Sequence, residues 1–182
     1  MSFLLRLKSW QLFTLIALPL VIQALIEATT TNQVELPQFY QVCFTTCLVL
    51  LMGMVFGWLW VIGSALARLL SDAFSLPVYS LKLAITLPCI YILLLQVEDM
   101  SELLDVSFTL SLEFIIPAHL ISMAGIFYSL YFAARALKSV ELQRSVSFND
   151  FRREFFLLWF FPVGIWLIQP RINRLFALSR AN

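Results

Sequence analysis

Apolar residues along this chain fall into four long blocks rather than into a mixed or alternating pattern. The blocks cover about residues 10–26, 40–66, 79–97 and 108–137. A helix needs about 20 apolar residues to cross the hydrocarbon core of a bilayer, and each block reaches or approaches that length. The pattern therefore predicts an all-α integral membrane protein. We expect a four-transmembrane-helix bundle that forms a single membrane domain over residues 1–182.

Composition supports this prediction, because 61% of the residues are hydrophobic and only 13% are charged. Soluble domains carry about 25% charged residues, and a chain of this size cannot bury so large an apolar surplus in its own interior. The start, MSFLLRLKSWQLFTLIALPLVIQ, has the basic and apolar regions of a signal peptide. It lacks an A-x-A type cleavage site, so we expect a retained first helix.

Charged residues are distributed asymmetrically between the connections. Acidic residues without any Lys or Arg lie between the first and second blocks and between the third and fourth, namely Glu27, Glu35, Glu98, Asp99, Glu102 and Asp105. The 12 basic residues lie before the first block, at the junction of the second and third, and at or after the end of the fourth. Because Lys and Arg in short loops stay on the cytoplasmic side, both termini are predicted to be cytoplasmic.

The segment FFLLWFFPVGIWLIQP, residues 155–170, is the one apolar stretch that the charge pattern does not permit to cross. Crossing would export Arg171, Arg174 and Arg180. Its 14 uninterrupted apolar residues would span only about 21 Å as a helix. Pro162 and Gly164 lie in its middle, where a break is expected. We predict a re-entrant element, with a tilted fifth span as the alternative.

An amphipathic helix is predicted at residues 147–155, directly before that element. Phe148, Phe151 and Phe155 are spaced by three and four and would form one apolar stripe. Arginines on and after the two segments are expected to contact anionic headgroups or a protein partner. The candidate contact residues are Arg152, Arg153, Arg171, Asn173 and Arg174.

Small residues recur at helical spacing in two of the blocks. Gly53 and Gly57 form a G-x-x-x-G pair in the second block, and Ser122, Gly125 and Ser129 continue such a stripe in the fourth. Small residues allow helix backbones to approach closely in lipid. We interpret the fourth-block stripe as packing within one protomer. For the second block, internal packing and self-association are both open.

Ionisable residues inside the blocks suggest an alternative function. Glu113 and His119 lie in the fourth block, where charge is costly and usually functional. They point about 120° apart on a helix, so a shared metal site is not expected. An ion path is one interpretation, and a histidine bonded to a nearby carbonyl is the other. The acidic Glu98–Asp105 cluster has a similar pair of interpretations, a cation site or export topology alone.

No catalytic motif, cofactor motif or metal-ligand spacing is present. Cys43 and Cys47 lie four apart but have no histidine or carboxylate nearby, which favours packing over metal binding. We expect no enzyme activity, no cofactor and no nucleic-acid partner. Expected partners are membrane lipids and either a second copy of the chain or another membrane protein.

Two stretches resemble a known group of proteins: LKSWQLF near the start, and ALKSVEL with FNDFRREFFLLWFFPVGIWLIQPRIN near the end. They are similar to small, uncharacterised bacterial inner-membrane proteins with a W-x-x-P-x-G-I-W-x-x-Q-P-R-I-N pattern. The resemblance implies a bacterial inner membrane and a four-helix core, without an activity. The leading hypothesis is a non-enzymatic assembly or accessory subunit. The alternative is an oligomeric channel or carrier, and an enzyme acting on lipid ranks third.

Overall fold

The computed structural model describes residues 3–30, 37–70, 75–103 and 108–181. All regular secondary structure within these ranges is helical. A 3-10 turn at Phe3–Leu5 is followed by six α-helices: α1 (Ser9–Thr30), α2 (Pro37–Ala67), α3 (Val78–Leu103), α4 (Leu112–Leu142), α5 (Phe148–Trp159) and α6 (Phe161–Ala181).

The first four helices are each long and apolar enough to cross a membrane, over Ser9–Thr29, Val42–Ala67, Val78–Glu98 and Leu112–Leu142. This confirms the predicted all-α architecture with four candidate spans. The fourth helix starts later than the predicted residue 108. Residues 108–111 are not helical, and Ser111 is extended (φ −72°, ψ 146°). The helix then continues beyond residue 137 to Leu142.

The spans α2, α3 and α4 run antiparallel to their neighbours in sequence. Thr45 near the start of α2 is bonded to Gln96 near the end of α3, and Gly63 near the end of α2 lies against Leu81 near the start of α3. Ser80 and Tyr128 share a hydrogen bond near the start of α3, and the rings of Tyr91 and His119 meet further along the same pair. We name the two ends of the bundle by their charge. The basic end contains the starts of α1 and α3 and the ends of α2 and α4; the acidic end is the opposite one.

The helices α5 and α6 form an antiparallel hairpin with its turn at Phe160. The predicted break at Pro162 and Gly164 is displaced by a few residues, for two physical reasons. Pro162 is the second residue of α6, where its missing N–H has no intrahelical partner in any case. Gly164 instead allows close approach, because a Cβ there would overlap the carbonyl oxygen of Leu157. The helix α6 also continues through Pro170 instead of ending there.

The hairpin extends from the basic end toward the middle of the bundle. Asp150, near the start of α5, is bonded to Arg144 just beyond α4. Trp159, at the end of α5, lies against Phe127 with ring centroids 5.0 Å apart. Phe127 precedes the end of α4 by 15 residues, which is about 22 Å along a helix. The helix α6 then returns beside α1, where Trp166 meets Phe13.

The hydrophobic core lies mainly in the basic half of the bundle, where the hairpin packs against α1, α2 and α4. Its largest fully buried side chains include Trp58, Phe151, Leu12, Ile16, Leu59, Ile62, Leu66, Leu137, Ile165, Ile168 and Ile172. In the acidic half, α1 is much more exposed. Five apolar side chains are 41–61% exposed there: Leu18, Leu20, Val21, Ile22 and Leu25.

Candidate functional site

The densest polar cluster of the described residues surrounds α6 at the basic end. Gln169 is fully buried, and its amide oxygen accepts a hydrogen bond from the Trp58 indole N–H at 3.0 Å. Its amide nitrogen donates to the carbonyl oxygens of Leu4 and Leu7 at 3.0 and 3.1 Å, and to the Asn173 side chain at 3.3 Å. One glutamine therefore joins α2, α6 and the residues that precede α1.

Asn173 lies one helical turn beyond Gln169 and strengthens the same connection. Its side-chain N–H donates to the carbonyl oxygen of Leu7 at 3.0 Å. Leu7 precedes α1, so its carbonyl oxygen lies outside the hydrogen-bond ladder of that helix and needs another partner. The segment before α1 is thus held by side chains of α6.

Arg171 points away from these amides and binds two carboxylates. Its Nε and Nη2 donate to the two oxygens of Glu141 at 2.8 and 2.6 Å, a bidentate pair. Nη2 also donates to Oε1 of Glu154 at 2.8 Å. Lys138 completes the group, 3.5 Å from Glu154 and 3.7 Å from Glu141. Two cations and two anions thereby connect α4, α5 and α6.

Burial and pairing act in opposite directions on Glu154, whose side chain is only 3% exposed. Burial alone would raise the pKa of Glu154, but the Arg171 hydrogen bond, the backbone and the Arg171 and Lys138 charges together lower that pKa. The hydrogen bond to Glu141 raises the pKa of Arg171 further above its ordinary value. Both groups are therefore charged at neutral pH.

The spacing of the QPRIN stretch explains how α6 serves two sides at once. Gln169 and Asn173 are four residues apart and share one face, whereas Arg171 lies between them on the other. We call Gln169, Arg171, Asn173 and their partners the α6 polar cluster. Its groups are positioned to hold helices together. None of them is arranged as a nucleophile with a general base.

The arginine predictions are distributed over two environments. Arg171 and Asn173 were expected to contact lipid or a partner, but their polar groups are bonded within the chain. Arg152, Arg153 and Arg174 are exposed instead. None of these three side chains pairs with a described residue.

The small-residue stripes also differ in their surroundings. On α4, Ser122, Gly125 and Ser129 are buried, and a Cβ on Gly125 would lie 2.5 Å from the carbonyl oxygen of Ala84. On α2, Gly53 and Gly57 would meet nothing within 4 Å. The α4 stripe packs inside the protomer, whereas the α2 pair faces open space.

Glu113 and His119 lie apart on the exposed surface of α4. His119 contacts the Tyr91 ring edge-on, with centroids 5.7 Å apart. A crevice of about 160 Å³ between α3 and α4 lies beside this pair, and its lining is apolar, from Leu87 and Leu94 to Phe114 and Ile121. The two ionisable residues do not converge on a polar route.

Metal binding receives no support from the described residues, which contain no group of three or more His, Cys, Asp or Glu suited to an ion. Of the acidic cluster, Glu98 accepts a hydrogen bond from the Leu110 N–H at 2.9 Å. Asp105 and the side chains of Asp99 and Glu102 lie outside the described part of the structure. Cys43 and Cys47 are free thiols.

Sequence reasoning missed the partners of the α6 polar cluster: Trp58, Glu141, Glu154 and Gln169. A signal was present for the two glutamates, because they are acidic residues among many arginines and so are natural candidates for ion pairs. Trp58 and Gln169 gave no comparable signal, since an indole and an amide 111 residues apart show no periodic relation.

No family model, curated protein or solved structure matches this chain. The resemblance to small bacterial inner-membrane proteins therefore stays a prediction.

Proposed function

We propose that this chain is a non-enzymatic subunit of a membrane assembly, which joins a second membrane helix through the Gly53–Gly57 face of α2. The observation that carries the proposal is a contrast among the five glycines. Gly63, Gly125 and Gly164 each lie where a side chain would collide with a neighbour, but Gly53 and Gly57 face open space.

Glycine in a helix interior costs about 0.5–1 kcal/mol relative to alanine. The three crowded glycines offset that cost through the close packing that they permit. The α2 pair obtains no such packing within the protomer. A second helix lying across Gly53 and Gly57 would provide it, as small residues four apart do at helix interfaces in lipid.

We further propose a bacterial inner membrane with the basic end in the cytoplasm. The connections at that end carry the Lys and Arg residues, and those at the acidic end carry none. In this orientation the α5–α6 hairpin enters the bilayer from the cytoplasm and returns. Its geometry supports this placement, because Trp159 lies beside the middle of α4 while Arg144 and Asp150 lie beyond the end of α4.

Photo-cross-linking from one position on the α2 face tests the proposal. Leu50 is 49% exposed and lies three residues before Gly53, so a photoreactive side chain there would face the partner helix. The matched control is Leu93 on α3, which is 54% exposed. We expect adducts from position 50 and few from position 93, and their mass tells a second copy from another protein.

The glycines themselves provide the specificity test. Gly53→Ile with Gly57→Ile should abolish the adducts from position 50 while the protomer stays folded, because nothing lies near either glycine. Equal cross-linking from both positions, or adducts that survive the double substitution, would overturn the assembly proposal.

A further inference from the structure

The helix α5 has one buried face and one exposed aromatic face. Phe151, Glu154 and Leu158 are buried, at 0–3% exposure. Phe148, Phe156 and Trp159 are each 46% exposed on the other side, and Phe160 at the turn is 63% exposed. A contiguous patch of exposed aromatic side chains usually marks a surface that a partner or lipid covers.

Arg152 lies within this aromatic face. Phe148, Arg152, Phe156 and Trp159 are spaced by four, four and three residues, so they share one side of the helix. The rings form a continuous ladder, with Phe155 between Phe148 and Phe156 at 5.8 and 5.4 Å, and Trp159 next to Phe156 and Phe160 at 6.1 and 6.0 Å. Arg152 therefore lies on the same side of the helix as the ladder, one turn after Phe148 and one turn before Phe156.

Arg152 and Arg153 differ from Arg144 and Arg171, whose charges are neutralised by carboxylates. Arg144 is paired with Asp150 at 3.1 Å, and Arg171 with two glutamates. Arg152 and Arg153 are adjacent, exposed and unpaired among the described residues. The surface thus offers two positive charges to an external anion, with donors suited to phosphate oxygens.

From Arg152 onward, the order of the groups along α5 matches the cross-section of a lipid leaflet. Arg152 lies in the first half of α5, near the basic end, and Trp159 and Phe160 lie deeper, beside the middle of α4. A headgroup phosphate would be at the level of the arginines and an acyl chain at the level of the rings. An acidic protein segment would meet the charge but not the deeper apolar rings.

We propose that the exposed face of α5, formed by Phe148, Arg152, Arg153, Phe156 and Trp159, is a binding site for an anionic phospholipid of the leaflet at the basic end. The inference rests on the proposed placement of the hairpin within that leaflet. The arginines hold the headgroup phosphate, and the aromatic ladder contacts the acyl chain.

Tryptophan fluorescence in vesicles tests this site. The full chain is placed in phosphatidylcholine vesicles that contain phosphatidylglycerol, with bromine on the acyl chains of one lipid or the other. Bromine quenches a nearby indole, and the difference between the wild type and Trp159→Phe isolates Trp159. We expect brominated phosphatidylglycerol to quench Trp159 more strongly than brominated phosphatidylcholine at equal concentration.

Arginine substitutions give the decisive comparison. Arg152→Gln should lower the relative affinity for phosphatidylglycerol about fivefold. This factor corresponds to the attraction of about 1 kcal/mol between one arginine and an anionic leaflet. The matched control is Arg174→Gln, which removes the same charge from an exposed position on α6 and should change little. Neither side chain has a described partner, so both variants should fold.

The outcomes separate this inference from its premise. Quenching of Trp159 by both lipids equally would leave the hairpin in the leaflet but overturn the anionic site. Absence of quenching by either lipid would overturn the placement and the site together. A loss of selectivity with Arg174→Gln as large as with Arg152→Gln would assign the effect to net charge alone, against a defined site. Assembly through α2 is measured separately, by the cross-links from position 50.

Discussion

Gln169 at the basic end and Gln23 in the acidic half both carry an amide that is shielded from solvent, but only the Gln169 amide is hydrogen-bonded to described residues. Gln169 has four partners. Among the residues that the structure describes, both polar atoms of Gln23 have none, and neither does the amide oxygen of Gln96 on α3. A shielded polar group costs free energy unless it is bonded. In the basic half the one such unbonded atom among the described residues is Oε2 of Glu154, whose other oxygen is bonded to Arg171 and Lys138. The acidic half instead leaves a whole amide, that of Gln23, without a described partner.

The largest effect in this comparison is expected from Arg171→Ala. The substitution leaves Glu141 and the buried Glu154 without their shared guanidinium, so we expect a loss of about 3 kcal/mol in the free energy of unfolding. Steric trapping in bicelles would measure it. The control is Arg174→Ala, an exposed arginine three residues away, which should cost less than about 0.5 kcal/mol. Equal losses from both would mean that the ion-pair group does not stabilise the hairpin.

Gln169→Leu should be next, at a loss of about 2 kcal/mol. Leucine fits an apolar site, but it leaves the Trp58 N–H and the Leu4 carbonyl oxygen without their partner. The same unfolding measurement applies. Faster hydrogen exchange confined to residues 3–12 and α6 would locate the damage. An unchanged stability would show that water takes the place of the amide. Gln169 would then not be needed to hold the basic half together.

Acid should weaken the basic half by a smaller amount, through Glu154. The pKa of this group is lowered by folding from its ordinary value of 4.5, so its contribution is present above that value and is lost as pH falls through the folded pKa. The loss is smaller than for Arg171→Ala because the pair between Arg171 and Glu141 remains.

The comparison that checks this pH dependence is Glu154→Gln, which should show a flatter stability profile below pH 4.5 than the wild type. Asp150, whose pKa is lowered by hydrogen bonds from Ser147 and Arg144, contributes in the same direction. Asp150→Asn should therefore remove another part of the slope. A slope unchanged in both variants would assign acid sensitivity to other groups.

The smallest change, and one of opposite sign, is expected from Gln23→Leu. Removing two unbonded polar atoms from a shielded position should stabilise the isolated protomer by about 1 kcal/mol. The same Gln→Leu substitution would then lower the free energy of unfolding at position 169 and raise it at position 23. If Gln23→Leu destabilises the protomer instead, its amide has partners inside the protomer, and the contrast between the halves fails.

The four spans could be predicted because an apolar block in a membrane helix is a local property of the sequence. The position of the hairpin turn was harder to predict, since Pro162 and Gly164 are residues that usually interrupt a helix. Here Pro162 fits the first turn of α6 and Gly164 serves close packing, so the turn falls at Phe160. The partners of Arg171, Glu141 and Glu154, precede it by 30 and 17 residues and come from two other helices. No period in the sequence encodes such a meeting.

The hydrogen bonds from Gln169 to Leu4 and Leu7 also set an order of events during biosynthesis. These residues are separated by 165 and 162 positions, so the segment before α1 cannot be secured until all four spans have been made. A nascent chain that stops before residue 169 would carry every span but lack this connection. Such a product would leave the Trp58 N–H and two backbone carbonyls unbonded, a defect that membrane quality-control proteases could recognise.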